Sequence, residues 1–507
     1  RPETEKSNQF HFKVYHPSQL IPLSDVLPIL EDLGLRVLNE IPYVVHPDSV
    51  EDKKVVIHDF GVITRNGSKV DLVAVRKNFQ DTFSRAWSGE IESDGFNALV
   101  LFAGLGWREV MFLRACCKYL RQVGVAFSQE YMEQTLTNNA HISCKIVDLF
   151  EARFDPSIEG KSKTILKRLE IELEKVKSAD EDRILRRYIN LVMSMLRTNF
   201  YQTTNNGPKP YLSFKFDSEK IDELPLPRPF REIYVYSPKV EGIHLRFGMV
   251  ARGGLRWSDR REDFRTEVLG LVKAQQVKNT VIVPVGSKGG FVVKNTLTVS
   301  DRNAFQAEGI ECYKLFISGL LDLTDNLRGK KVIPPKETVR KDRDDPYLVV
   351  AADKGTATFS DIANSIAIKY GFWLGDAFAS GGSDGYDHKK MGITARGGWE
   401  SVKRHFREMG INTQRENFDV IGVGDMSGDV FGNGMLLSSH ICLIGAFNHQ
   451  HIFVDPEPDA ARGIVERKRL FRMQRSSWTD YNLSLISKGG GIFDRSAKSI
   501  ELSPEIQ

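Results

Sequence analysis

Three basic side chains lie among paired glycines in the stretch ARGGLRWSDRREDFRTEVLGLVKAQQVKNTVIVPVGSKGG. Arg252 precedes Gly253 and Gly254. Lys278 lies further along the stretch, and Lys288 is followed by two more glycines. Glycine has no Cβ atom, so its backbone can approach a ligand closely. We therefore expect the three cations to converge on an anionic substrate. Arg252 or Lys278 alone would be an ordinary exposed charge, whereas Lys288 differs because glycines flank it at the end of an apolar strand.

A second group of glycines, spaced GxGxxxG, follows the apolar segment FDVIGVG. A helix-like segment, DVFGNGMLLSSH, and the apolar segment ICLIGAF come next. In this strand, turn, helix, strand context, backbone N–H groups at the helix N-terminus can bind a pyrophosphate. We expect a dinucleotide site here, and a plain tight turn is the alternative. The residues of this loop are Gly422, Gly424, Asp425, Met426, Ser427 and Gly428.

The residue at the usual ribose-binding position indicates which dinucleotide is bound. An acidic residue is common about 20 positions beyond the glycines, and Asn448 stands there instead. An Asn amide can still hydrogen-bond to a ribose hydroxyl. No Arg or Lys lies close by in the sequence to hold a 2′-phosphate, although His449 and His451 could do so in part. We therefore expect NAD as the cofactor rather than NADP.

Four motifs follow one another along the chain: RGGLR, VPVGSKGG, AADKGT and VGDMSGDVFGNG. Together they resemble the amino-acid dehydrogenase superfamily and, within it, the large NAD-dependent glutamate dehydrogenases of bacteria. The likeness covers roughly residues 210–507. The part of the chain before residue 210 also resembles the region that precedes the catalytic domain in that family.

The resemblance implies how the substrate is held. Arg252, together with Gly253 and Gly254, would bind one carboxylate of a dicarboxylic amino acid, and the Arg fork allows two parallel hydrogen bonds. Lys278, in the KN pair, would contact the other carboxylate. A dehydrogenase of an apolar amino acid is an alternative, but it would have no use for two cationic anchors, because a buried unpaired charge is costly.

The resemblance also implies the catalytic groups. Lys288 would be the catalytic lysine, and Asp353 in AADKG the aspartate that transfers protons to and from nitrogen. Thr394, in GITARGG, would lie near the nicotinamide amide. A lysine activates water only as the neutral amine, which neighbouring cations and desolvation favour. The expected reaction converts L-glutamate, NAD and water to 2-oxoglutarate, ammonium and NADH. A non-catalytic protein that senses amino acids and nucleotides on the same fold is the other alternative.

The elements that must position these groups indicate an α/β multidomain protein. Residues 1–80 have a βαββ pattern and resemble an ACT-type regulatory domain, or serve as a structural spacer. Residues 81–205 have helical periodicity and form a helical spacer domain. Residues 206–400 form the α/β substrate domain, and residues 401–507 a Rossmann-type NAD-binding domain that is incomplete at its C-terminus. Apolar strands are expected at 211–216, 232–236, 243–248, 280–284 and 347–351.

Composition excludes several classes of partner. A net charge of +4 over 507 residues provides no overall attraction to nucleic acid or membrane. The five cysteines are scattered and form no CxxC pair, so we expect neither a disulfide framework nor a metal site, and a cytoplasmic location. No apolar run is long enough to span a bilayer. The chain starts at Arg1 and is expected to be a piece of a longer protein, which we expect to be a homo-oligomer.

Overall fold

The computed structural model describes residues 9–17, 19–46, 54–158, 160–250, 252–279, 285–295, 302–353, 355–356, 358–385, 388–473 and 476–507. The side chains of residues 277–279, 302 and 388 also lie outside the described part. The chain divides into two compact units, Arg1–Ser380 and Gly381–Gln507. This division precedes the boundary expected at residue 400, so residues 381–400 belong with the second unit.

The first unit begins with a small three-stranded sheet and one helix. Its elements are β1 (Gln9–Pro17), α1 (Leu23–Asp32), β2 (Leu35–Val45) and β3 (Val55–Thr64). The strand, helix, strand, strand order expected from the sequence is present. Among the described residues, β3 lies between β1 and β2, and both pairings are antiparallel. Gly34 takes the left-handed conformation at φ 85°, which ends α1 and turns the chain into β2.

A helical region follows and packs as a single apolar core with the βαββ segment. Its helices are α2 (Leu72–Trp87), α3 (Ala98–Phe102), α4 (Trp107–Gln122), α5 (Gln129–Asn138), α6 (Ala140–Phe154), α7 (Ser162–Leu173) and α8 (Ala179–Ser194). The helical spacer was expected to continue to residue 205, but the helices end at Ser194. The next residues form a strand because the buried Arg197 is tied to Asp325 and Asp342 in the sheet-containing region.

The remainder of the first unit is an α/β arrangement. Its elements are β4 (Met195–Thr198), β5 (Thr203–Thr204), β6 (Gly207–Pro208), β7 (Leu212–Phe216), β8 (Arg231–Tyr236), β9 (Val240–Arg246), β10 (Arg252–Trp257), α9 (Phe264–Asn279), β11 (Ser287–Val293), α10 (Arg302–Leu321), β12 (Asn326–Arg328), β13 (Lys331–Ile333), β14 (Val349–Ala352), α11 (Ser360–Lys369) and β15 (Ala379–Ser380).

One large mixed sheet organises this region. In the described part of the chain its strand order is β15-β14-β10-β11-β9-β8-β7-β4. The strands β15, β14, β10 and β11 pair in parallel, and the pairings from β11 to β4 are antiparallel. Alternate residues of the strands enter two apolar cores, one shared with the helical region and α9, the other with α10 and α11.

The predicted strands agree with the structure at most positions, and two glycine-rich segments differ. Strands occur near 211–216, 232–236, 243–248 and 347–351, although β9 begins and ends earlier than expected. The strand predicted at 280–284 lies outside the described residues. RGGLRW forms β10, and residues 287–290 of GSKGG, which was expected to be a loop, begin β11. Their glycines fit a sheet because neighbouring strands and α9 pack against them more closely than a Cβ atom would allow.

The second unit contains a smaller mixed sheet. Its elements are α12 (His388–Met391), α13 (Ile393–Glu408), β16 (Phe418–Val423), α14 (Asp429–Gly434), β17 (Ile441–Phe447), β18 (His451–Val454), α15 (Ala460–Arg472) and β19 (Gly491–Asp494). The predicted strand, turn, helix, strand unit is β16, α14 and the parallel β17. The parallel order stops there among the described residues, because a short turn returns the chain as the antiparallel hairpin β17–β18, which β19 extends.

A partly buried carboxylate cluster lies between α4 and α5. Arg114 is fully buried and forms an ion pair with Asp94 at 2.9 Å. The amide of Gln129 donates to both Asp94 and Glu133, at 2.9 and 2.7 Å. Burial, followed by the nearby charge of Asp94, raises the pKa of Glu133 to about 7 from 4.5. The folded protein therefore holds a proton on Glu133 that the unfolded chain releases at lower pH.

Replacing Glu133 by Gln should remove one pH dependence of stability. The protonated carboxyl contributes stability that is present below pH 4.5 and is lost as the pH rises through about 7. Because the side chain is only partly buried, we discount the effect and expect Glu133→Gln to be more stable than the wild type by about 1 kcal/mol at pH 8. Urea unfolding at pH 5 and pH 8 measures this difference.

The matched control is Glu130→Gln, an exposed position of the same helix, which should change stability by less than about 0.5 kcal/mol at either pH. Equal pH dependence in Glu133→Gln and wild type would contradict the assignment.

Candidate active site

An ion pair joins Lys288 and Asp353 in the large sheet of the first unit. The Lys288 Nζ lies 2.7 Å from the Asp353 Oδ2, and each side chain is 16% exposed. Lys288 is the second residue of β11, and Asp353 directly follows β14. Sequence analysis assigned both residues as catalytic, and the structure brings them into direct contact.

The contact spans β10, which lies between β11 and β14 in the sheet. It is possible because Gly254 of β10 has no side chain. A Cβ atom at Gly254 would lie 3.2 Å from the Lys288 Nζ and 3.0 Å from the Asp353 Cβ. Both distances are tighter than ordinary van der Waals contacts. The glycine of RGGLR is therefore required for the ion pair to form across the strand.

Hydrogen bonds to groups other than Lys288 also hold Asp353 in place. Its backbone N–H donates to the Thr356 Oγ1 at 3.0 Å, and the Thr356 hydroxyl donates to the Leu255 carbonyl at 2.7 Å. The Arg256 guanidinium donates to the Asp353 Oδ1 at 3.3 Å and to Glu267 of α9 at 2.8 Å. These bonds tie the carboxylate to β10 and α9. The side chain consequently has little freedom to leave the lysine.

Arg252 lies on the same face of β10 as the ion pair. Residues two apart in a strand project to one face, so Arg252, Gly254 and Arg256 share that face, about 7 Å apart along the strand. Arg252 is exposed, and its side chain makes no hydrogen bond or ion pair in the described part of the chain. A solvent-accessible guanidinium therefore lies on the Lys288 side of β10.

Two other residues predicted to bind the substrate are Lys278 and Gly253. Lys278 falls within α9, and its side chain lies outside the described residues. A Cβ atom at Gly253 would lie only 1.6 Å from the Ser287 carbonyl oxygen. The absence of a side chain at Gly253 thus lets β11 approach β10 closely. Contact of Gly253 or Gly254 with substrate stays a prediction.

The second unit holds the predicted nucleotide loop between β16 and α14. Gly424 has φ 135°, a conformation that side chains rarely adopt. Cβ atoms at Gly422 and Gly424 would approach Phe431 of α14 to 2.4 and 2.9 Å. Gly428 precedes α14 with an extended backbone, and a Cβ atom there would meet only the Asp425 carbonyl, at 3.4 Å. Two of the glycines are thus needed for packing, and the third has an open side.

Hydrogen bonds of the Asp425 and Asn448 side chains fix the conformation of this loop. The Asp425 carboxylate accepts hydrogen bonds from the Ser427 N–H at 2.9 Å and from the Asn448 amide at 2.7 Å. The side-chain amide oxygen of Asn448 accepts from the backbone N–H groups of Gln450 and His451. Met426 is buried at 1% exposure. Asn448 therefore holds the loop to the β17–β18 turn, a structural use of the amide that was not expected from the sequence.

A basic residue lies beside Asn448. The expectation of NAD rather than NADP rested on the absence of a nearby Arg or Lys in the sequence. Arg495, which follows β19, donates to the Asn448 carbonyl at 3.0 Å, and its guanidinium lies 5.5 Å from the centre of the Phe447 ring. The sequence could not indicate this neighbour because 47 positions separate Arg495 from Asn448. The absence of nearby cations in the sequence is therefore not an argument against NADP.

Thr394 lies in the same unit as the glycine loop. It is exposed in the first turn of α13. Just before it, Gly392 packs on Asn433 of α14, where a Cβ atom would meet the Asn433 side chain at 2.8 Å. The Asn433 amide also donates to the Lys389 carbonyl at 2.8 Å. These contacts bring the start of α13 next to the helix that follows Gly428.

The open side of Gly428 leaves room for a phosphate group beside the start of α14. Several N–H groups of the loop already donate within the protein, Gly424 to the Phe447 carbonyl at 2.7 Å and Gly428 to the Asp425 carbonyl at 3.2 Å. Asp425 bonds to Ser427 and Asn448, and Asp429 accepts from the Asn433 amide at 3.1 Å. In the described residues, no group of His, Cys, Asp and Glu side chains is arranged to hold a metal ion. The helices described there include none with the length and apolar character of a membrane span.

The residues whose hydrogen bonds hold Asp353 in place were not predicted from the sequence. Arg256 is the second arginine of RGGLR, and its alternation with Arg252 and Gly254 would have placed it on the same face of a strand. Thr356 ends the AADKGT motif and Glu267 lies outside the four motifs. The contacts of both residues depend on how α9 and the segment after β14 fold back on β10, which the sequence does not show.

Comparisons with known proteins identify the family. Residues 168–507 match a family model described as the catalytic domain of bacterial NAD-glutamate dehydrogenase. Residues 91–156 match helical motif 3 of glutamate dehydrogenase, and residues 1–75 its ACT3 domain.

Curated relatives agree with this match. The chain is 57% identical to an NAD-specific glutamate dehydrogenase of Halomonas elongata, over 99% of this chain and 31% of the relative. It is 56% identical to one of Pseudomonas aeruginosa, over 100% of this chain and 32% of the relative. The chain thus spans about a third of the length of these curated relatives.

A solved structure is much more distant. A hetero-hexameric glutamate dehydrogenase from Thermus thermophilus in a Leu-bound form matches 49% of this chain and 54% of its own. Its sequence identity is 15% and its TM-score 0.31, too low to support an inference. The family resemblance predicted from the four motifs is confirmed by the family model and the curated relatives: the chain belongs to the bacterial NAD-glutamate dehydrogenase family.

Proposed function

We propose that the protein catalyses the NAD-dependent oxidative deamination of L-glutamate to 2-oxoglutarate and ammonium. The observation that carries this proposal is the Lys288–Asp353 ion pair, held at 2.7 Å across Gly254 with an exposed arginine on the same face of β10. A base and an acid in contact, next to a cation, suit a reaction that moves protons at the α-carbon of an anionic amino acid. Family membership supports the same substrate and cofactor.

Arg252 and Lys278 would hold the two carboxylates of glutamate. In this assignment Arg252 anchors one end of the substrate along β10, about two residues from the position facing Lys288. Holding both carboxylates orients the α-carbon, and such orientation supplies a large part of the rate of reactions of this kind. An amino acid with an apolar side chain would leave one of the cations without a partner.

Asp353 and Lys288 would divide the proton transfers. The Asp353 carboxylate takes a proton from the substrate ammonium group, which leaves a neutral amine that can form a C=N bond as the α-hydrogen departs with its electron pair. Lys288 first releases to solvent the proton that it carries in the ion pair with Asp353. Its neutral amine then takes a proton from a water molecule as the water oxygen attacks the imine carbon. Asp353 returns its proton to nitrogen, and the C–N bond breaks as the hydroxyl oxygen forms the C=O bond. The hydroxyl proton goes to the departing ammonia, which leaves as ammonium. Arg256 and Thr356 keep Asp353 in place for both transfers.

NAD, when bound, accepts the hydride from the α-carbon. Gly422, Gly424 and Gly428, with Asp425, Met426 and Ser427, would form the loop that binds it. Asn448 would act on the ribose through the shape it gives this loop, and Thr394 would contact the nicotinamide amide. The relatives are named NAD-specific, which supports NAD over NADP although Arg495 lies beside Asn448.

Other parts of the proposal concern the whole protein. We assign residues 1–80 to an ACT-like domain, 81–205 to a helical spacer and the following residues up to the division at Ser380 to the substrate domain. The second unit, Gly381–Gln507, is assigned to a Rossmann-type NAD-binding domain, which thus begins before the boundary at residue 400 expected from the sequence. The antiparallel order of the first sheet and the parallel pair in the second unit support these fold assignments. We also propose a cytoplasmic homo-oligomer.

The substrate assignment predicts selective turnover. The full-length protein should form NADH with L-glutamate and NAD, and the rates with aspartate, leucine or phenylalanine should be lower by about 100-fold or more, since each of these leaves one of the two proposed cationic anchors unpaired or misplaced. NADP should replace NAD poorly. Absence of NADH formation with every substrate would contradict the proposal and favour a protein that only senses amino acids and nucleotides.

Gly428→Val tests the nucleotide loop separately from the fold. The backbone at Gly428 has φ −73° and ψ 156°, which a Val residue can adopt, and the position is open. The added side chain should occupy the space next to the start of α14 and weaken NAD binding by about ten-fold or more, measured by equilibrium titration. Gly410→Val, at a left-handed C-terminal turn of α13, is a control for strain without obstruction of the loop. Unchanged NAD affinity in Gly428→Val would mean that the glycine motif is a plain turn with no part in NAD binding.

A further inference from the structure

A polar cavity lies at the end of β11 remote from Lys288. It has a volume of about 390 Å³ and is lined by residues from α4, the β8–β9 turn, the segment before α9 and the end of β11. Lys288 is near the start of β11 and Lys294 follows its end, so the cavity lies about 20 Å along the strand from the ion pair. The proposed reaction makes no use of this cavity.

The floor of the cavity is a fixed network of ionic contacts. The Lys294 Nζ lies 2.7 Å from Glu92 and 3.1 Å from Glu241, and it donates to the Ser237 carbonyl at 3.1 Å. Glu92 also accepts from the Tyr236 hydroxyl, and Glu241 from the Tyr234 hydroxyl. The lysine thus has three acceptors for its three N–H groups. Lys294 and its two carboxylate partners form a rigid base with a net charge of −1, which the cations of the cavity walls outnumber.

The walls carry cations that the floor does not neutralise. Lys118 of α4 is half-buried, and its ammonium group donates to the neutral Gln129 amide oxygen at 2.8 Å. It forms no ion pair with a carboxylate among the residues that the structure describes. Arg261 is exposed and likewise lacks an acidic partner there. Arg121 is 3.6 Å from Glu262, whose side chain is 88% exposed and offers little screening inside the cavity.

The electrostatics of Glu92 indicate the same excess of positive charge. Burial by itself would raise the pKa of this carboxyl group, yet Lys294 and then Lys118 hold it down at about 2. A half-buried ammonium group without a carboxylate partner is costly, and an anion in the cavity would offset that cost. The wall next to α9 is also well defined, because the Gln122 amide donates to the Arg261 and Glu262 carbonyls at 2.9 and 3.3 Å.

We propose that this cavity is a binding site for a small anion that carries carboxylate or phosphate groups, with Lys118, Arg121 and Arg261 as its ligands. The ligand groups lie on α4 and on the segment that leads into α9, and the fixed network of Lys294 with Glu92 and Glu241 forms the base. The volume accommodates a metabolite of a few carbon atoms and excludes a polymer. This proposal does not depend on the reaction assigned to Lys288.

Titration calorimetry of the full-length protein tests the site with two probes, inorganic phosphate and succinate, at constant ionic strength. At least one probe should bind with one ion per chain. The affinity should fall by about ten-fold or more in both Lys118→Gln and Arg261→Gln, because each removes a charge-assisted hydrogen bond. The probe that binds more tightly distinguishes a phosphate-bearing from a carboxylate-bearing ligand.

Control variants distinguish binding in this cavity from binding elsewhere on the protein. Lys145→Gln and Arg260→Gln remove cations that are already paired with Glu172 and Asp263, and binding should be unchanged in both. Circular dichroism of each variant checks folding. Binding that is lost in Arg252→Gln but retained in Lys118→Gln and Arg261→Gln would mean that the probe occupies the proposed substrate site. That result, equal binding in all variants, or no binding of either probe at millimolar concentration would overturn the proposal.

Discussion

The ion pair between Lys288 and Asp353 depends on how closely their side chains can approach across the one strand that separates them. The two residues belong to strands that are not adjacent, and β10 separates them. They meet at 2.7 Å only because Gly254 leaves the space that a side chain would fill. The parallel pairing of β10 with both neighbours brings the start of β11 and the end of β14 to the same level of the sheet. The site thus follows from strand order, register and one missing Cβ atom.

The same contact explains why polar residues surround it. Two opposite charges with 16% exposure each keep part of their solvation, and further hydrogen bonds offset the remainder of the desolvation cost. Arg256 shares its guanidinium between Asp353 and Glu267 and thereby links the acid to α9. Thr356 links the backbone of Asp353 to the carbonyl of Leu255. A carboxylate held in this way is well positioned to exchange protons with a neighbouring amine.

Motif order in the sequence was sufficient to select Lys288, Asp353 and Arg252, because each lies at the end or start of a strand in a recognisable segment. The glycines were harder to interpret. Glycine permits a close approach by ligand or by protein, and at Gly253 the approaching atom is the Ser287 carbonyl oxygen. The role of Arg495 could not be predicted either, because its contact with Asn448 requires the antiparallel hairpin that follows β17. Long-range pairing of this kind leaves no periodic signal in a single sequence.

The most direct test of the central claim is to remove and then restore the amine at position 288. In Lys288→Cys, glutamate-dependent NADH formation by the full-length protein should be lost while NAD binding is retained. Alkylation with 2-bromoethylamine then creates a side chain of lysine's length with a terminal amine and should restore a measurable rate. Four of the five cysteines within residues 1–507 are buried, and wild type treated in the same way is the control for alkylation at any other cysteine of the full-length protein. Activity in the unmodified variant, or no recovery after complete alkylation, would contradict the role of Lys288 as the catalytic base.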